Sequence, residues 1–250
     1  MPSPPPPLTA LSDLDAQLAS AGWAVLEAHT WGRLSDTRVE QWQAWQPLWH
    51  DLPPDAYLKD GGRYRRRRHG SFVVDGDEVR LAPHRAHWQP LDYNALHGGI
   101  ERWFEPLPEA LVADPAWPKL LRALAGRASA LRGVQPWFAE AHSFRIDTAG
   151  GIGRPTPEGA HRDGVDLVAV MLVARSNVKG GETRVFDARA PQGVRFALTQ
   201  PFSILLLDDE RVIHETTPIQ PANAALPAWR DTLVVTLRSG GFQDPEPSIA

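Results

Sequence analysis

Two stretches of the sequence carry the side chains best suited to bind a metal ion. His161 and Asp163 stand two residues apart in PEGAHRDG, just before the apolar run VDLVAVMLVA, and His214 lies in RVIHETTPI, after an acidic turn. Residues i and i+2 of a strand point to the same face, so His161 and Asp163 would present an imidazole and a carboxylate about 7 Å apart at the backbone. A lone H-x-D pair is common in surface turns, but antiparallel pairing can bring His214 beside it. Two histidines and one carboxylate form the facial triad of non-haem Fe(II) oxygenases, which leaves open positions on the ion.

A basic residue at the start of the last apolar strand, RDTLVVTLR, is the next candidate. Arg230 carries a permanent charge, and Thr232 follows it on the same face of the strand. Guanidinium binds a carboxylate with two parallel hydrogen bonds, which suits the distal carboxylate of a dicarboxylic cosubstrate such as 2-oxoglutarate. Taken alone, Arg230 could equally be a surface arginine beside a strand, but the three metal-binding candidates favour the buried position.

Composition limits the alternatives. The chain has 250 residues and no cysteine, so a metal site must use nitrogen and oxygen ligands. A net charge of -4 gives no general attraction to nucleic acid or anionic membranes, and no apolar run approaches the roughly 20 residues of a membrane span. The start, MPSPPPPLTA, lacks the basic and apolar regions of a secretory signal. We therefore expect a cytoplasmic protein that acts on a small molecule and binds neither nucleic acid nor membrane.

The first half of the sequence predicts helices and the second half predicts strands. Apolar residues recur at helical spacing in LSDLDAQLASAG, in LSDTRVEQWQAWQPLWHDLPP and in DPAWPKLLRALAGRASAL, where Asp114 is a capping candidate. The tryptophans of the second segment share one helical face, which is more typical of a core than of a ligand platform. From about residue 136 onward, short β-rich runs alternate with turns. We therefore predict a mainly β fold with flanking helices, arranged as a sandwich or barrel.

The domain organisation follows from this change of pattern. Residues 1–8 are predicted to form a disordered proline-rich tail, and residues 9–250 a single domain. Within that domain we expect a helical part at residues 9–133 and a β core at residues 134–240.

Four motifs in this order carry a family resemblance: PEGAHRDG, NVKGGETRVFD, VIHETTPI and RDTLVVTLR. The sequence resembles the Fe(II)/2-oxoglutarate-dependent dioxygenases, specifically the bacterial group of L-isoleucine 4-hydroxylases and related free-amino-acid hydroxylases, over roughly residues 57–238. The resemblance implies a double-stranded β-helix, a cupin-like jelly roll. It also implies that His161, Asp163 and His214 bind iron, and that Arg230 with Thr232 holds 2-oxoglutarate.

The same resemblance implies a reaction. Fe(II), 2-oxoglutarate and O2 would be needed, an unactivated carbon of the substrate would be hydroxylated, and succinate and CO2 would be released. We expect the substrate to be a free L-amino acid with an aliphatic or otherwise uncharged side chain, held against tryptophan and leucine surface.

Other basic and imidazole side chains near these motifs need an interpretation. The run GGRYRRRRHG would place Arg63, Arg65 and Arg67 on one strand face. The resemblance implies that one or two arginines of such a strand reach a substrate carboxylate. Arg145, in EAHSFRID, is a second candidate for that carboxylate. His142 in the same run is predicted to be a hydrogen-bonded core histidine rather than a fourth metal ligand.

Two other functions stay open at this point. The chain could be a non-catalytic or regulatory jelly-roll binding protein, or a cupin-type metalloenzyme that does not use 2-oxoglutarate. Arg230 discriminates between the cupin-type metalloenzyme and the dioxygenase. An enzyme without a dicarboxylic cosubstrate does not need a residue that binds the distal carboxylate of that cosubstrate.

Overall fold

Antiparallel strands form most of the structure. The computed structural model describes residues 4–94 and 96–245. Its main sheet has seven strands in the order β1-β9-β5-β12-β4-β2-β3, and a three-stranded sheet of order β10-β7-β8 and a two-stranded sheet of order β11-β6 complete the fold. This arrangement confirms the predicted mainly β jelly roll. The strands are β1 Trp23–Leu26, β2 Arg65–Asp75, β3 Glu78–Leu81, β4 Trp137–Asp147, β5 Leu167–Ser176, β6 Val178–Gly180, β7 Thr183–Asp187, β8 Gly193–Phe196, β9 Ile204–Asp208, β10 Val212–Thr216, β11 Ile219–Pro221 and β12 Trp229–Arg238.

The main sheet separates two environments because its side chains alternate between its faces. On β12, Leu233, Val235 and Leu237 point outward into the large apolar core. Arg230 and Thr232 point to the opposite face, which looks toward the three-stranded sheet and lines a cavity. The polar face of the sheet is therefore the inner one, which is where chemistry can take place.

Helices cover the outer face of the main sheet. The tryptophans Trp42, Trp45 and Trp49 are 0%, 2% and 0% exposed and belong to this core, which confirms the core interpretation. The Oδ1 atom of Asp114 accepts a hydrogen bond from the backbone N–H of Ala116 at 2.8 Å, so Asp114 caps the longest helix as predicted. The helices are α1 Leu14–Ala21, α2 Ala28–Leu34, α3 Val39–Gln43, α4 Glu109–Val112 and α5 Ala116–Arg132, with 3-10 turns at Leu11–Asp13 and Gln46–Trp49.

Three details differ from the sequence-based expectation. The part expected to be helical also contributes β1, β2 and β3 to the main sheet. The helix expected through the tryptophan segment is interrupted, because Pro47 has no N–H to continue the α-helical pattern and starts a 3-10 turn instead. Within the predicted disordered tail, Pro4 accepts a hydrogen bond from Ala197 at 3.1 Å and Leu8 forms a bridge to Val25. Residues 1–3 of that tail lie outside the described residues.

No helix in the described part of the chain is long and apolar enough to cross a membrane.

Candidate active site

The central cavity lies between the main sheet and the three-stranded sheet. It is lined by inward side chains of β2, β4 and β12, by residues of β10, and by the segments 87–102 and 155–165. His161, Asp163 and His214 all face it. An isolated antiparallel bridge joins the first histidine to the last, with N···O distances of 3.0 and 2.9 Å in the two directions. The pairing that the sequence required to complete the three-residue set is therefore present.

The three side chains converge. The Nε2 atom of His161 lies 3.8 Å from Oδ1 of Asp163, and Nε2 of His214 lies 3.7 Å from Oδ2 of Asp163. Two atoms that each lie about 2.1 Å from one ion are at most about 4.2 Å apart, so both distances fit ligation of a single divalent ion. The Nδ1–H of His161 donates to the carbonyl of Gly159 at 2.9 Å, which directs the lone pair of Nε2 toward the site.

The protonation of His214 also suits a ligand. Burial lowers the pKa of His214 to about 3, so its ring is neutral near pH 7, as metal binding requires. Burial opposes charge on His161 too, but Asp163 and Glu158 outweigh it and raise the pKa of His161. A proton therefore competes with a metal ion at His161 more than at His214.

A buried carboxylate fixes the turn that carries Asp163. Asp209 is 0% exposed and accepts hydrogen bonds from three consecutive backbone N–H groups: Asp163 at 3.0 Å, Gly164 at 2.7 Å and Val165 at 3.2 Å. Gly164 has a φ of +74°, and a Cβ there would lie 2.6 Å from the ring of Tyr93, so the turn requires glycine. Asp209 belongs to the acidic turn noticed in the sequence, where nothing distinguished it from its neighbours.

The carboxylate of Asp163 is oriented by a side-chain amide. Gln89 donates from Nε2 to Oδ1 of Asp163 at 3.1 Å, and its Oε1 accepts from Asn94 at 3.0 Å and from Arg102 at 2.8 Å. Because both donors bind the oxygen end, the NH2 end of Gln89 must face Asp163. On the other side of the turn, Gln243 donates to the carbonyl of Asp163 at 3.1 Å.

Arg230 provides a buried site for an anion. The residue is 3% exposed, and its Nε and Nη2 atoms have no hydrogen-bond partner among the described residues. Burial lowers its pKa to about 10, so the guanidinium remains charged near pH 7. Thr232 faces the same cavity one alternation further along β12. A buried cation with two unused donors requires an anionic ligand, since leaving such a charge unpaired is costly.

A second group of arginines lies across the cavity. Arg65 and Arg67 project inward from β2, and Arg102 joins them from the segment above; they are 6%, 3% and 2% exposed. Arg65 donates to Asp55 at 2.7 Å. The guanidinium of Arg67 lies 3.9 Å from the centroid of the Phe104 ring, in cation–π contact. Of the three arginines expected on one strand face, Arg65 and Arg67 face the cavity, whereas Arg63 precedes β2 and is exposed.

Carboxylates accompany these arginines. Asp55 lies beneath Arg65, while Glu140 and Glu158 both line the central cavity. The Oε1 atom of Glu158 lies 3.5 Å from Nε2 of His161, and its Oε2 has no hydrogen-bond partner among the described residues. Glu158 is part of the PEGAHRDG motif, but its type alone did not indicate a role. Glu140 and Arg102 have no local sequence signal at all.

Three further histidines, His69, His87 and His142, cluster beside Glu140 and could be mistaken for a second metal site. An imidazole binds a metal in the plane of its ring, yet the rings of His69 and His142 are stacked, with centroids 4.7 Å apart and an interplanar angle of 21°. Arg67 also lies 2.8 Å from Nδ1 of His142. The cluster is therefore a hydrogen-bonded one; His142 is hydrogen-bonded as predicted, but it lines the cavity rather than lying in the core.

Two expectations about the substrate pocket are wrong. Arg145 points to the opposite face of β4, where it donates two hydrogen bonds to Asp231 at 2.8 and 2.7 Å, so it does not reach the cavity. The inner face is given by Glu140, His142 and Phe144, and alternation puts Arg145 on the outer one. The predicted tryptophan and leucine wall is also absent from the residues that line the central cavity, because the tryptophans serve the core behind the sheet.

Comparison with known proteins assigns the chain to a family. The family model of the 2OG-Fe dioxygenases matches residues 46–236, and the chain belongs to that family. A crystal structure of a bsmA homolog from Methylobium petroleophilum PM1 is 52% identical, with a TM-score of 0.90 over 95% of this chain and 96% of that one. No curated protein matches the sequence.

More distant solved structures share the fold. IDO from Bacillus thuringiensis is 16% identical with a TM-score of 0.74, over 94% of this chain and 97% of that one. The Fe(II)/(alpha)ketoglutarate-dependent dioxygenase TqaL is 20% identical with a TM-score of 0.68, over 95% and 91% of the two chains. The protein is accordingly an oxidoreductase whose reaction uses Fe(II), 2-oxoglutarate and O2.

Proposed function

We propose that His161, Asp163 and His214 hold the iron and that Arg230, with Thr232, holds the distal carboxylate of 2-oxoglutarate. The converging donor atoms and the neutral His214 ring support the first assignment. The two unpartnered nitrogens of the buried Arg230 support the second. Bound Fe(II) would activate O2, and conversion of 2-oxoglutarate to succinate and CO2 would drive hydroxylation of an unactivated carbon.

The role of the protein in such a reaction is to position the reactants and exclude water. Asp209 and Gln243 hold the backbone around Asp163, and Gln89 turns its carboxylate. Arg230 fixes the cosubstrate at one end of the inner sheet face. None of these steps requires a side chain that accepts or donates a proton during the reaction.

We propose further that the substrate is a free L-amino acid. The observation that carries this proposal is the balance of cations and carboxylates that line the cavity or lie directly behind its wall, beyond the metal-binding residues. Arg65, Arg67 and Arg102 give three positive charges, and Asp55, Glu140 and Glu158 give three negative ones. The positive and negative charges of these side chains cancel. A zwitterion, which has no net charge, keeps the total charge of the pocket at zero, whereas a simple acid or amine would leave one uncompensated charge.

The ends of the zwitterion have separate partners in this proposal. The α-carboxylate is bound by Arg102, whose Nε atom has no hydrogen-bond partner among the described residues, in place of Arg145. The α-ammonium is bound by the unpartnered Oε2 of Glu158. Both contacts are charge-assisted hydrogen bonds, roughly twice as strong as neutral ones.

The test uses the protein with Fe(II), 2-oxoglutarate and O2, and measures succinate together with a mass gain of one oxygen. The panel contains the free L-amino acids, the same compounds with N-acetyl or carboxamide groups, and short peptides. We expect turnover of free amino acids and about 100-fold or greater loss on blocking either end, from a penalty of about 3 kcal/mol for each lost ionic hydrogen bond. Equal turnover of the blocked forms would refute the amino acid assignment and leave the iron and cosubstrate sites standing.

A further inference from the structure

Glu140 has one oxygen with no assigned partner. The residue is 5% exposed and lines the central cavity from β4. Its Oε1 atom accepts hydrogen bonds from Nε2 of His69 at 3.0 Å and from Nδ1 of His87 at 3.3 Å. Its Oε2 atom has no hydrogen bond to any described residue, and because it is not one of the fully buried atoms without a partner, it remains accessible from the cavity that Glu140 lines.

The surroundings keep this carboxylate ionised. Burial by itself would raise the pKa of Glu140, but His87 and the hydrogen bonds from both histidines outweigh burial and hold the pKa below its usual range. Burial lowers the pKa of His87 to about 3, so this histidine is a neutral donor near pH 7. An ionised carboxylate oxygen that is accessible from a cavity and has no protein donor is available to accept a hydrogen bond from a ligand, and a hydrogen bond to a charged acceptor is a strong one.

Neither the metal site nor Arg67 uses that oxygen. Asp163 receives its side-chain donor from Gln89, and the carboxylate within reach of Arg67 is Asp55, at 3.7 Å. Glu140 lies in the same cross-strand row as Thr236 of β12, three alternations along the inner face from the row that contains Arg230. The position is therefore remote from the cosubstrate end of the cavity.

We propose that Glu140, supported by His87, is a specificity subsite that accepts a hydrogen bond from the side chain of the substrate. The substrate would then be an amino acid whose side chain carries a neutral donor, a hydroxyl or a carboxamide, rather than a purely aliphatic chain. A neutral donor is favoured over a cationic one because the ionic groups of the pocket already cancel when a zwitterion is bound. This inference rests on the proposed function, since it assigns the side chain of the proposed amino acid.

The expected discrimination follows from the energy of a hydrogen bond to a charged acceptor. Such a bond contributes about 1.5 to 3 kcal/mol, which corresponds to about 10- to 150-fold in kcat/KM between a substrate with the donor and a hydrocarbon of the same shape. A hydrophobic pocket would show the reverse order, because it gains from the apolar partner of each pair.

The test compares free amino acids in three matched pairs: threonine with valine, asparagine with leucine, and glutamine with methionine. Succinate release and mass gain are measured with the Fe(II)-loaded wild type, with Glu140→Gln, and with Glu109→Gln as a surface control. Binding of each amino acid is also measured without O2, from its effect on the visible absorption of the Fe(II)–2-oxoglutarate complex. We expect the donor member to be preferred in at least one pair and the preference to fall about tenfold in Glu140→Gln only.

The outcomes separate the two proposals. If free amino acids are substrates but the hydrocarbon member is preferred in every pair, the subsite is refuted and the proposed function stands. The same holds if the donor preference persists unchanged in Glu140→Gln, or if lysine and ornithine are preferred over glutamine. Turnover of blocked amino acids alone would overturn the proposed function, and the subsite with it. The wild-type comparison decides the main point even if Glu140→Gln does not fold.

Discussion

Replacing Arg230 should separate cosubstrate binding from folding. The guanidinium is 3% exposed, and Nε and Nη2 lack partners in the described part of the chain, so its charge is buried at a cost when no ligand is present. Truncating a buried charge that binds an opposite charge costs about 2 to 5 kcal/mol, which corresponds to about a 30- to 5,000-fold rise in the Kd for 2-oxoglutarate. Arg230→Met keeps much of the length and volume of the side chain, so the effect should reflect the lost charge.

The same substitution should not destabilise the ligand-free protein. Removing an unpaired buried charge relieves a desolvation cost, so we expect the melting temperature without cosubstrate to stay level or to rise. With 2-oxoglutarate at 100 times its Kd, the free energy of unfolding of the wild-type protein should rise by about 2.7 kcal/mol. That of Arg230→Met should rise little at the same concentration. Arg230→Lys should recover only part of the affinity, because a single ammonium cannot make two parallel hydrogen bonds.

The assay is thermal unfolding of the Fe(II)-loaded protein under anaerobic conditions over a series of 2-oxoglutarate concentrations. Arg184→Met is the matched control, because Arg184 forms a half-exposed pair with Glu182 and Glu215 away from the cavity. An Arg230→Met protein that kept the wild-type dependence on 2-oxoglutarate would refute the assignment. Arg65 or Arg102 would then be the next cation to test.

Three further predictions concern the metal and the buried histidines. His161→Ala, Asp163→Ala and His214→Ala should each abolish turnover with the circular dichroism spectrum retained; a variant with iron bound and full activity would contradict the ligand set. Gln89→Leu should weaken Fe(II) binding by about 10- to 100-fold, as measured by metal titration, because Asp163 loses its orienting donor; unchanged affinity would show that Asp209 alone positions the ligand. The unfolded chain takes up a proton at His87 below about pH 6.5, whereas the folded chain does so only near the lowered pKa of about 3. The free energy of unfolding should therefore decrease by about 1.4 kcal/mol for each unit by which the pH is lowered between these values. Urea unfolding at pH 6 and pH 4.5 should show a smaller decrease for His87→Gln than for the wild type.

Local periodicity predicted the elements that need no partner to be recognised. The tryptophan face of the second helical segment and the cap at Asp114 could be read directly, since helical spacing and capping are properties of a few neighbouring residues. The interrupted helix at Pro47 had a local signal that the apolar spacing masked. β1 is four residues long and owes its strand conformation to pairing with β9, about 180 residues away, which a local pattern does not contain.

The candidate site divides in the same way. His161 and Asp163 were recognised from a strand-like spacing, although the structure places them in an isolated bridge and the turn that follows it. His214 was recognised because it completes a known donor set. Gln89 and Arg102 act through contacts with distant residues, and neither type nor spacing distinguishes them along the chain. The error at Arg145 has a similar origin, because its role depends on which face of β4 is the inner one. That face is decided by pairing across the sheet rather than by the sequence of β4 alone.

The four consecutive arginines of β2, residues 65 to 68, have an evolutionary consequence. A shift of one residue in the pairing register of a strand moves every side chain to the opposite face, so it normally exchanges an apolar face for a polar one and destroys the site. Here a slip confined to residues 65–68, absorbed by a bulge before His69, would turn Arg66 and Arg68 inward in place of Arg65 and Arg67, so the wall would keep its positive charge. The specific contacts with Asp55, His142 and the ring of Phe104 would be lost. A descendant with an insertion or deletion in the preceding loop could thus retain an anion-attracting pocket while its substrate preference drifts, which makes this strand a tolerant place for new specificities to arise.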